Sequence, residues 1–371
     1  MRVGPFHLTY CSNIHAGESW PEVAAALASV VPEVRRHLDA DGPFAIGLRL
    51  SAEAAAAGLS SDGALDAFAA FLGDGDFYVP TINGFPYGAF HRTRVKEHVY
   101  LPDWRDPLRL AYTNRLADLL ARLLPDGMRG SVSTVPGGFK SHLTGAGDVA
   151  AIGAALRSHA AHLRALRDRT GRTVRLALEP EPACLLETID ETIAFFDAEL
   201  DDAASREFIG VCVDTCHMAV EFEPAGTVFA RLTDAGIAIP KVQVSSALDA
   251  SSDAARQALS AFADDTYLHQ VLGSRDGALE RFVDLPEALA GAPSDRCRVH
   301  FHVPLFLEEL GALRSTQPFV RDCLRALAAH PVCDQLEVET YTWDVLPAAY
   351  RQVDVATAIA RELAWVREQV A

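Results

Sequence analysis

Short apolar runs alternate with longer amphipathic segments along most of the chain. An uninterrupted apolar run is typical of a strand buried on both faces, as in a parallel sheet. The run Ile-Gly-Val-Cys-Val at 209–213 is the clearest example. In order along the chain, the predicted strands are 6–10, 44–50, 77–82, 130–135, 174–178, 209–213, 242–244, 299–303 and 336–341.

The segments between these runs carry apolar residues at helical spacing, and several begin with N-terminal signals. Ser19-Trp20-Pro21-Glu22 and Thr188-Ile189-Asp190-Glu191 have the pattern of a capping box. Asp106-Pro107 places an N-cap aspartate before a proline at the first helical position. The predicted helices are 20–37, 52–57, 64–72, 107–123, 148–169, 189–200, 226–235, 254–262, 318–329 and 355–370.

Strands that alternate with helices predict βα units and a parallel sheet. About eight such units fit a (β/α)8 TIM barrel. We therefore predict one domain over 1–371, with the ninth strand in a late insertion or a hairpin. Residues 246–298 have the least regular pattern and are the predicted insertion. The alternative is an open doubly wound sheet, but no Gly-rich dinucleotide fingerprint follows the first strand.

Acidic residues stand where three of the predicted strands end: Glu179, Asp214 and Glu339. The C-terminal ends of barrel strands meet at one mouth, where the active sites of this fold lie. Carboxylates brought close together repel each other unless a cation or a proton lies between them. The sequence therefore predicts a divalent metal site at this mouth.

Each of these positions has a second interpretation. Asp214 alone could be an ordinary helix N-cap, and Glu179 could simply open a turn bracketed by prolines. Glu181 and Glu337 compete with Glu179 and Glu339 for the same roles. We prefer Glu179 because it comes first after its apolar run, and Glu339 because it is nearer the C-terminal end of its strand.

Three further residues are candidates to complete the metal site. Gln243 ends the seventh predicted strand and could give a neutral oxygen. His302 could supply a nitrogen, although His300 shares its face of the strand and one of the two could be structural. His217 could be a ligand or a hydrogen-bond donor to substrate. Oxygen ligands suit Mg or Mn, and imidazole widens the choice to Zn, Fe or Co, so the sequence does not identify the metal.

The amino-acid composition indicates in which cellular compartment the protein works and which classes of partner it can bind. The formal charge of −17 repels a phosphate backbone, so we expect a small-molecule partner and no nucleic acid. Seven scattered cysteines without a CxxC pair indicate a reduced, cytoplasmic protein. We expect neither a signal segment nor membrane insertion, because no apolar run is long enough. The sequence does not fix the oligomeric state and is compatible with a homodimer.

Three short motifs resemble the metal-site strand ends of the xylose-isomerase-like TIM-barrel superfamily. They are Leu-Ala-Leu-Glu-Pro at 176–180, Val-Asp-Thr-Cys-His at 213–217 and Glu-Val-Glu-Thr at 337–340. That superfamily includes sugar epimerases, hydroxypyruvate isomerase and endonuclease IV. The resemblance implies that Glu179, Asp214 and Glu339 bind the metal and that the two glutamates move protons on the substrate. The superfamily usually has a histidine where this chain has Gln243, and His302 would then supply the imidazole.

Longer motifs resemble a narrower family, the metabolite traffic EboE family. They are His7-Leu-Thr-Tyr-Cys-Ser-Asn-Ile-His15, Asn83-Gly-Phe-Pro-Tyr-Gly88 and Arg298-Val-His-Phe-His-Val-Pro304. That family is associated with clusters that handle or export small metabolites. The resemblance implies a metabolite as the ligand.

These features give a mechanistic hypothesis and two alternatives. A divalent cation would hold a small polyol or keto-sugar, while Glu179 and Glu339 act as the catalytic base and acid. The first alternative is a carrier that keeps the metal but has lost turnover, which Gln243 favours. The second is a phosphodiesterase like endonuclease IV, which the acidic charge disfavours.

Several residues outside the metal site are candidates to contact the substrate. Arg49, Lys96 and the basic loop around Arg92 and Arg94 could bind an anionic end, or the loop could be a solvated surface. Trp343 could stack on a sugar face or pack in the core. The predicted substrate-binding residues are His15, Arg49, Asn83, Lys96, His217 and Trp343.

Overall fold

Eight parallel strands form a nearly closed barrel in the computed structural model, which describes residues 1–58, 61–91 and 93–371. In chain order the strands are β1 (Arg2–Val3), β2 (Phe6–Tyr10), β3 (Phe44–Arg49), β4 (Phe77–Asn83), β5 (Gly130–Thr134), β6 (Val174–Leu178), β7 (Ile209–Asp214), β8 (Ala238–Val244), β9 (Ser246–Ala250), β10 (Val271–Arg275), β11 (Ala278–Phe282), β12 (Arg296–Val303), β13 (Glu309–Leu310), β14 (Leu313–Ser315) and β15 (Gln335–Val338). The barrel strands lie in the order β2-β15-β8-β7-β6-β5-β4-β3, and β1 pairs antiparallel with β2.

Helices follow most of the barrel strands and pack around them. They are α1 (Trp20–Leu38), α2 (Asp62–Asp74), α3 (Pro107–Leu123), α4 (Ala146–Thr170), α5 (Ile189–Glu199), α6 (Ala203–Phe208), α7 (Thr215–Val220), α8 (Val228–Asp234), α9 (Asp253–Ala258), α10 (Leu285–Ala290), α11 (Gln317–Ala329) and α12 (Val355–Val370). The predicted capping box at Thr188 is present, because its Oγ1 accepts from Glu191 N at 3.2 Å and Glu191 Oε2 accepts from Thr188 N at 3.2 Å. The predicted (β/α)8 barrel is confirmed, and the open-sheet alternative is wrong.

The barrel closes between β2 and β3 at Gly47. Cys11 forms an isolated parallel bridge with Gly47, and Thr9 Oγ1 donates to Ala45 O at 2.9 Å. A Cβ atom at position 47 would lie 1.7 Å from Glu337 Oε1 and 2.7 Å from the Tyr10 carbonyl oxygen. Glycine is therefore the residue that lets these two strands approach.

A second sheet of six antiparallel strands follows β8 and occupies 246–315, with the order β11-β10-β12-β9-β14-β13. Of the nine predicted strands, the one at 299–303 is the C-terminal half of β12, so it belongs to this sheet and not to the barrel. The predicted insertion, 246–298, covers the first part of the sheet, which continues to Ser315. We call this unit the inserted sheet.

The sequence pattern missed the shorter elements. Helices α6, α7 and α10 have 6 residues each, which is less than two helical turns and too short for a clear helical period. The last predicted strand, 336–341, ends earlier, at Val338, and a 3₁₀ turn begins at Tyr341. The predicted helix 52–57 is a short π-type turn at Ala54–Gly58.

Two further features of the described residues bear on the expectations from composition. All seven cysteines are unpaired and buried. None of the described helices combines the length and the apolar character that a membrane crossing requires.

Replacing Gly47 tests the closure of the barrel. We expect Gly47→Ala to lower the free energy of unfolding by about 1–3 kcal/mol, because the new methyl group meets backbone and a buried carboxylate. Urea unfolding measures this change. Gly63→Ala in α2 is the control, because a Cβ there meets nothing within 4 Å. Equal stability of Gly47→Ala and the native chain would contradict this account of the closure.

We expect the free energy of unfolding to depend on pH because of Glu362, which lies buried on α12. Its Oε1 accepts from Thr340 Oγ1 at 2.7 Å and from Leu305 N at 3.0 Å, and burial raises its pKa from 4.5 to about 7. The folded state therefore favours the protonated form. Its contribution to stability is complete below pH 4.5 and is lost as the pH rises to about 7.

Glu362→Gln should remove this dependence, because the amide keeps an acceptor and does not ionise. Urea unfolding between pH 4.5 and 8 should show a steeper fall for the native chain than for the variant. Over this pH range the free energy of unfolding of the native chain should fall by on the order of 3 kcal/mol more than that of the variant. A difference that does not change with pH would show that Glu362 is not the titrating group.

Candidate metal centre at the barrel mouth

Three barrel strands bring their acidic residues together at the barrel mouth. Glu179 follows β6, Asp214 ends β7 and Glu339 follows β15. All three side chains are buried, and one oxygen of each lies within 4.8 Å of the others. This convergence follows from the parallel register, which places the C-terminal ends of neighbouring strands side by side.

Hydrogen bonds hold one oxygen of Asp214 and one of Glu339. Asp214 Oδ1 accepts from Ser245 Oγ at 2.6 Å and from His217 N at 3.0 Å. Glu339 Oε1 accepts from Asn13 Nδ2 at 2.7 Å and from Asn83 Nδ2 at 2.9 Å. The described residues provide no hydrogen-bond partner for Asp214 Oδ2 or Glu179 Oε2, and both atoms are buried. Buried oxygens without a partner are costly, so their positions fit a bound cation.

The electrostatics of the three carboxylates lead to the same conclusion. Burial, together with the charges of Glu339 and Asp214, raises the pKa of Glu179 well above its usual value. Burial and the charge of Asp214 raise the pKa of Glu339 in the same way. The group resists full ionisation unless positive charge enters it.

An ion pair lies among these carboxylates inside the barrel. Lys241 Nζ is 2.5 Å from Glu337 Oε2, and both side chains are fully buried. Lys241 Nζ also donates to Ser133 Oγ at 3.1 Å. Because Glu337 is already paired with Lys241, it does not compete with Glu339 for a cation. The preference for Glu339 over Glu337 therefore has a structural reason.

His302 and Gln243 lie next to this group. His302 Nδ1 donates to the Glu339 carbonyl oxygen at 2.8 Å, which leaves Nε2, 4.0 Å from Asp214 Oδ2, as the bare nitrogen. Burial lowers the pKa of His302 to about 4, so the ring is neutral. Gln243 pairs with Asp214 in the register of β7 and β8, and among the described residues its buried amide has no hydrogen-bond partner.

A second group lies beside the first and consists of Glu181, His217 and His300. One ligand atom of each lies within 4.8 Å of the others, and all three side chains are buried. Burial raises the pKa of Glu181, while burial and the neighbouring His217 lower the pKa of His300 well below its usual value. Glu181 was predicted only as a rival of Glu179, but the structure gives each glutamate its own place.

A small cavity of about 50 Å³ connects the two groups, and aromatic rings cover it. Phe90, Tyr267 and Tyr341 come from three separate segments, and their ring centroids lie 5.1–5.3 Å apart. A single water needs at least about 10–15 Å³, so this volume holds only a few waters.

Comparison with known proteins decides the fold class. The sequence matches no protein-family model, and no curated protein matches it. Among solved structures, a xylose isomerase-like TIM barrel protein from Mycobacterium smegmatis, in complex with magnesium, has a TM-score of 0.56 and 13% identity over 98% of this chain and 96% of that chain. The chain has the xylose-isomerase-like TIM-barrel fold.

Two further structures share this xylose-isomerase-like barrel. The IolI protein with a bound zinc atom has a TM-score of 0.51 and 12% identity over 98% of each chain. A D-allulose 3-epimerase from Methylomonas sp., in complex with D-allulose, has a TM-score of 0.51 and 12% identity over 99% of this chain and 97% of that chain. At such identities the likeness shows the fold alone.

The barrel places two of the predicted substrate-binding residues, Asn83 and His217, in the lining of the cavity. Lys96 lies elsewhere, because its Nζ donates to Asp284 Oδ2 at 2.7 Å and to the Asp264 carbonyl oxygen at 2.9 Å. Trp343 is buried in the hydrophobic core.

Arg49 and His15 line a different small cavity. Arg49 is paired with Glu18 at 2.8 Å, and His15 Nε2 is 3.0 Å from the Tyr10 hydroxyl. Arg94 is exposed, and Arg92 is outside the described residues. The sequence shows these charges but not the carboxylates that pair with Arg49 and Lys96.

The sequence reasoning missed several residues that line or support the cavity. Asn13 had one usable signal, a polar residue just after the first strand. Tyr100 lies in the long loop after β4, whose length and aromatic residues favour a functional segment but do not single it out, and Gln270 lies in the inserted sheet region without any such signal. Gln270 Nε2 donates to the Tyr100 hydroxyl at 2.7 Å, and that hydroxyl donates to Glu181 Oε1 at 2.7 Å.

Removing Lys241 tests the charge balance inside the barrel. We expect Lys241→Met to lower the free energy of unfolding by about 3–5 kcal/mol, because Glu337 is left buried without a counter-charge. The double variant Lys241→Met/Glu337→Met should recover most of this loss. Urea unfolding in a chelator measures both. If the single variant were as stable as the native chain, the pair would not balance the interior charge.

Proposed function

We propose that the chain is a metal-dependent isomerase or epimerase that acts on a small, uncharged polyol or keto-sugar. The observation that carries the proposal is the meeting of Glu179, Asp214 and Glu339 beside a cavity, around buried oxygens that have no hydrogen-bond partner among the described residues. These three carboxylates would hold the cation, with Gln243 or His302 as a further ligand. The oxygen-rich set suits Mg or Mn, and the nearby imidazole also admits Zn, Co or Fe.

A bound divalent cation would supply Lewis acidity, which polarises a carbonyl and makes the neighbouring C–H more acidic. The proton transfers belong to the two glutamates. Glu179, which lines the cavity, takes the proton from the carbon next to the carbonyl. Glu339, which Asn13 and Asn83 hold in place, returns a proton to the substrate.

The lining of the cavity supports an uncharged substrate. Among the described residues, the cavity lining contains no lysine or arginine. Arg49 and Lys96, the predicted anion-binding residues, have carboxylate partners elsewhere. A phosphorylated substrate would meet carboxylates here without a basic side chain to balance its charge. The neighbouring structure that contains D-allulose is consistent with a neutral sugar.

The narrower assignment to the metabolite traffic EboE family is also part of this proposal. The three motifs that resemble this family supply Asn13, Asn83, His300 and His302 to the cavity and its immediate surroundings. Motifs from distant parts of the chain thus meet at one place, as the residues of a shared ligand site would. The cytoplasmic location, the lack of a nucleic-acid partner and the homodimer stay predictions.

A carrier without turnover is the second candidate, and Gln243 favours it. An amide is a weaker ligand than the imidazole that the superfamily resemblance leads us to expect there. A carrier would bind the cation and the metabolite but would not exchange the substrate proton.

Proton exchange separates the two candidates. The metal-loaded chain is incubated in D2O with D-allulose and related neutral ketoses, and NMR follows deuterium uptake at the carbon next to the carbonyl. We expect uptake with the native chain and about a 10²–10⁴-fold loss with Glu179→Gln, because a proton acceptor is removed. Glu53→Gln, at an exposed position, is the control and should match the native chain.

The remaining outcomes also decide between the candidates. Bound metal and thermal stabilisation by a ketose, with no exchange across the panel, would support the carrier. Failure of the native chain to retain any divalent cation would contradict both candidates.

A further inference from the structure

A cavity at the N-terminal end of the barrel lies far from the carboxylate group. It has a volume of about 230 Å³ and is lined by the first residues of β5, β6, β8 and β15 and by the loops beside them. Arg175 lies on β6 four residues before Glu179, a separation of about 13 Å along an extended strand. The active sites of this fold lie at the other end of the barrel, so the proposed reaction does not account for this cavity. We call it the basal cavity.

Arg175 faces the basal cavity, and part of its guanidinium group is unpaired. Its Nε atom is buried and has no hydrogen-bond partner among the described residues. Asp334, one of the two carboxylates whose charges act on it, lies 3.5 Å from Arg129 Nη2. The other, Glu207, pairs with Arg167. A buried donor without a partner is costly, so this side chain keeps an unused capacity to bind an acceptor.

The charges around the basal cavity do not balance. Among the described residues, its lining contains three charged side chains, those of Arg129, Arg175 and Asp334, which leaves one positive charge in excess. Burial and the neighbouring charge of Arg129 lower the pKa of Arg175. The chain as a whole carries a formal charge of −17, so a positive cavity is an exception that attracts an anion.

Both arginines extend from a well-held backbone. Arg175 lies opposite Ser131 in the parallel register of β5 and β6. The carbonyl oxygen of Arg129 accepts from Gln335 Nε2 at 2.8 Å, and Gln335 Oε1 accepts from Ser131 Oγ at 2.6 Å. A ligand therefore meets two guanidinium groups whose backbone does not have to be ordered, which lowers the entropic cost of binding.

The size and the lining of the basal cavity suit a phosphate group. A guanidinium group binds an oxyanion through two parallel hydrogen bonds, so two of them can together engage more oxygens than a carboxylate offers. The share of one water in the liquid is about 30 Å³, so the cavity has room for a phosphate group and a few carbon atoms. Apolar residues form much of the remaining wall: Pro5, Ile239, Pro240, Pro331 and Val332. They would contact the carbon part of a phosphomonoester.

We propose that Arg175 and Arg129 hold the phosphate group of a small molecule in the basal cavity. The ligand is either inorganic phosphate or a small phosphomonoester, since both present the same phosphate oxygens. The carboxylate of Asp334 opposes an anion, so binding depends on the two arginines together. The inference requires neither a metal ion nor the isomerase reaction.

Titration calorimetry of the full chain tests the proposal. Metal ions are first removed with a chelator, which is then dialysed away, so that phosphate cannot bind through a metal ion. Chloride keeps the ionic strength constant. We expect saturable binding of one phosphate or one glycerol 3-phosphate per native chain. Arg175→Met and Arg129→Met should each weaken this binding about 10–100-fold, because each removes a charged donor.

Arg325→Met is the matched control. It removes the same charge at an exposed position on α11 and should bind phosphate like the native chain. Thermal unfolding without phosphate then separates a binding role of Arg175 from a structural one. Because the replacement of Arg175 breaks no ion pair among the described residues, Arg175→Met should unfold at or above the temperature of Arg325→Met. A lower unfolding temperature would show that Arg175 stabilises the fold and would contradict the account of an unpaired side chain.

The binding results decide the rest. Absence of saturable phosphate binding in the native chain would overturn the proposal, as would undiminished binding in Arg175→Met. Acetate that binds as tightly as phosphate would overturn the assignment to a phosphate group. Tighter binding of glycerol 3-phosphate than of phosphate would support a phosphomonoester, and equal or weaker binding would support inorganic phosphate. Because the protein is free of metal, none of these results depends on the proposed function.

Discussion

The structure depends on how negative charge is tolerated inside the barrel mouth. Glu179, Asp214 and Glu339 lie together in a region almost without solvent, and Glu337 adds a fourth carboxylate nearby. Lys241 neutralises Glu337 and is already engaged by it. The remaining three carboxylates need another source of positive charge, because burial and mutual repulsion make their ionisation costly. This constraint links the fold to the proposed metal site.

The inserted sheet adds what the barrel alone lacks. Strand β12 brings His300 and His302 over the strand ends, and the segment before β10 brings Tyr267 and Gln270. The backbone of Thr266 accepts hydrogen bonds from Val95 and Lys96, which ties the inserted region to the long loop after β4. The cover of the cavity is thus made of segments far apart in sequence.

Much of the barrel could be predicted because its signals are local. Buried parallel strands produce apolar runs, and the polar residue at the end of each run marks the mouth, so Glu179, Asp214 and Glu339 could be selected together. The roles of neighbouring carboxylates could not be separated in this way. Glu337 differs from Glu339 only through its contact with Lys241, and that contact depends on strand order.

Other parts of the site carry no pattern in the sequence. The inserted sheet is built of short strands with mixed burial, such as β11, whose side chains are mostly exposed. The ion-pair partners of charged residues are also not visible in a sequence. Arg49, at the end of β3, is paired with Glu18, and Lys96, in the long loop after β4, is paired with Asp284. Ring orientation in His217 and His300 depends on carbonyl oxygens that only the folded chain positions.

Anomalous X-ray diffraction from crystals of the manganese-loaded chain tests the central claim most directly, because it locates a cation without assuming any activity. The account predicts a peak within about 2.0–2.6 Å of carboxylate oxygens of Glu179, Asp214 and Glu339, the range of metal–oxygen bonds in proteins. Loaded crystals in which the three carboxylates bind no cation and keep the same positions would contradict it.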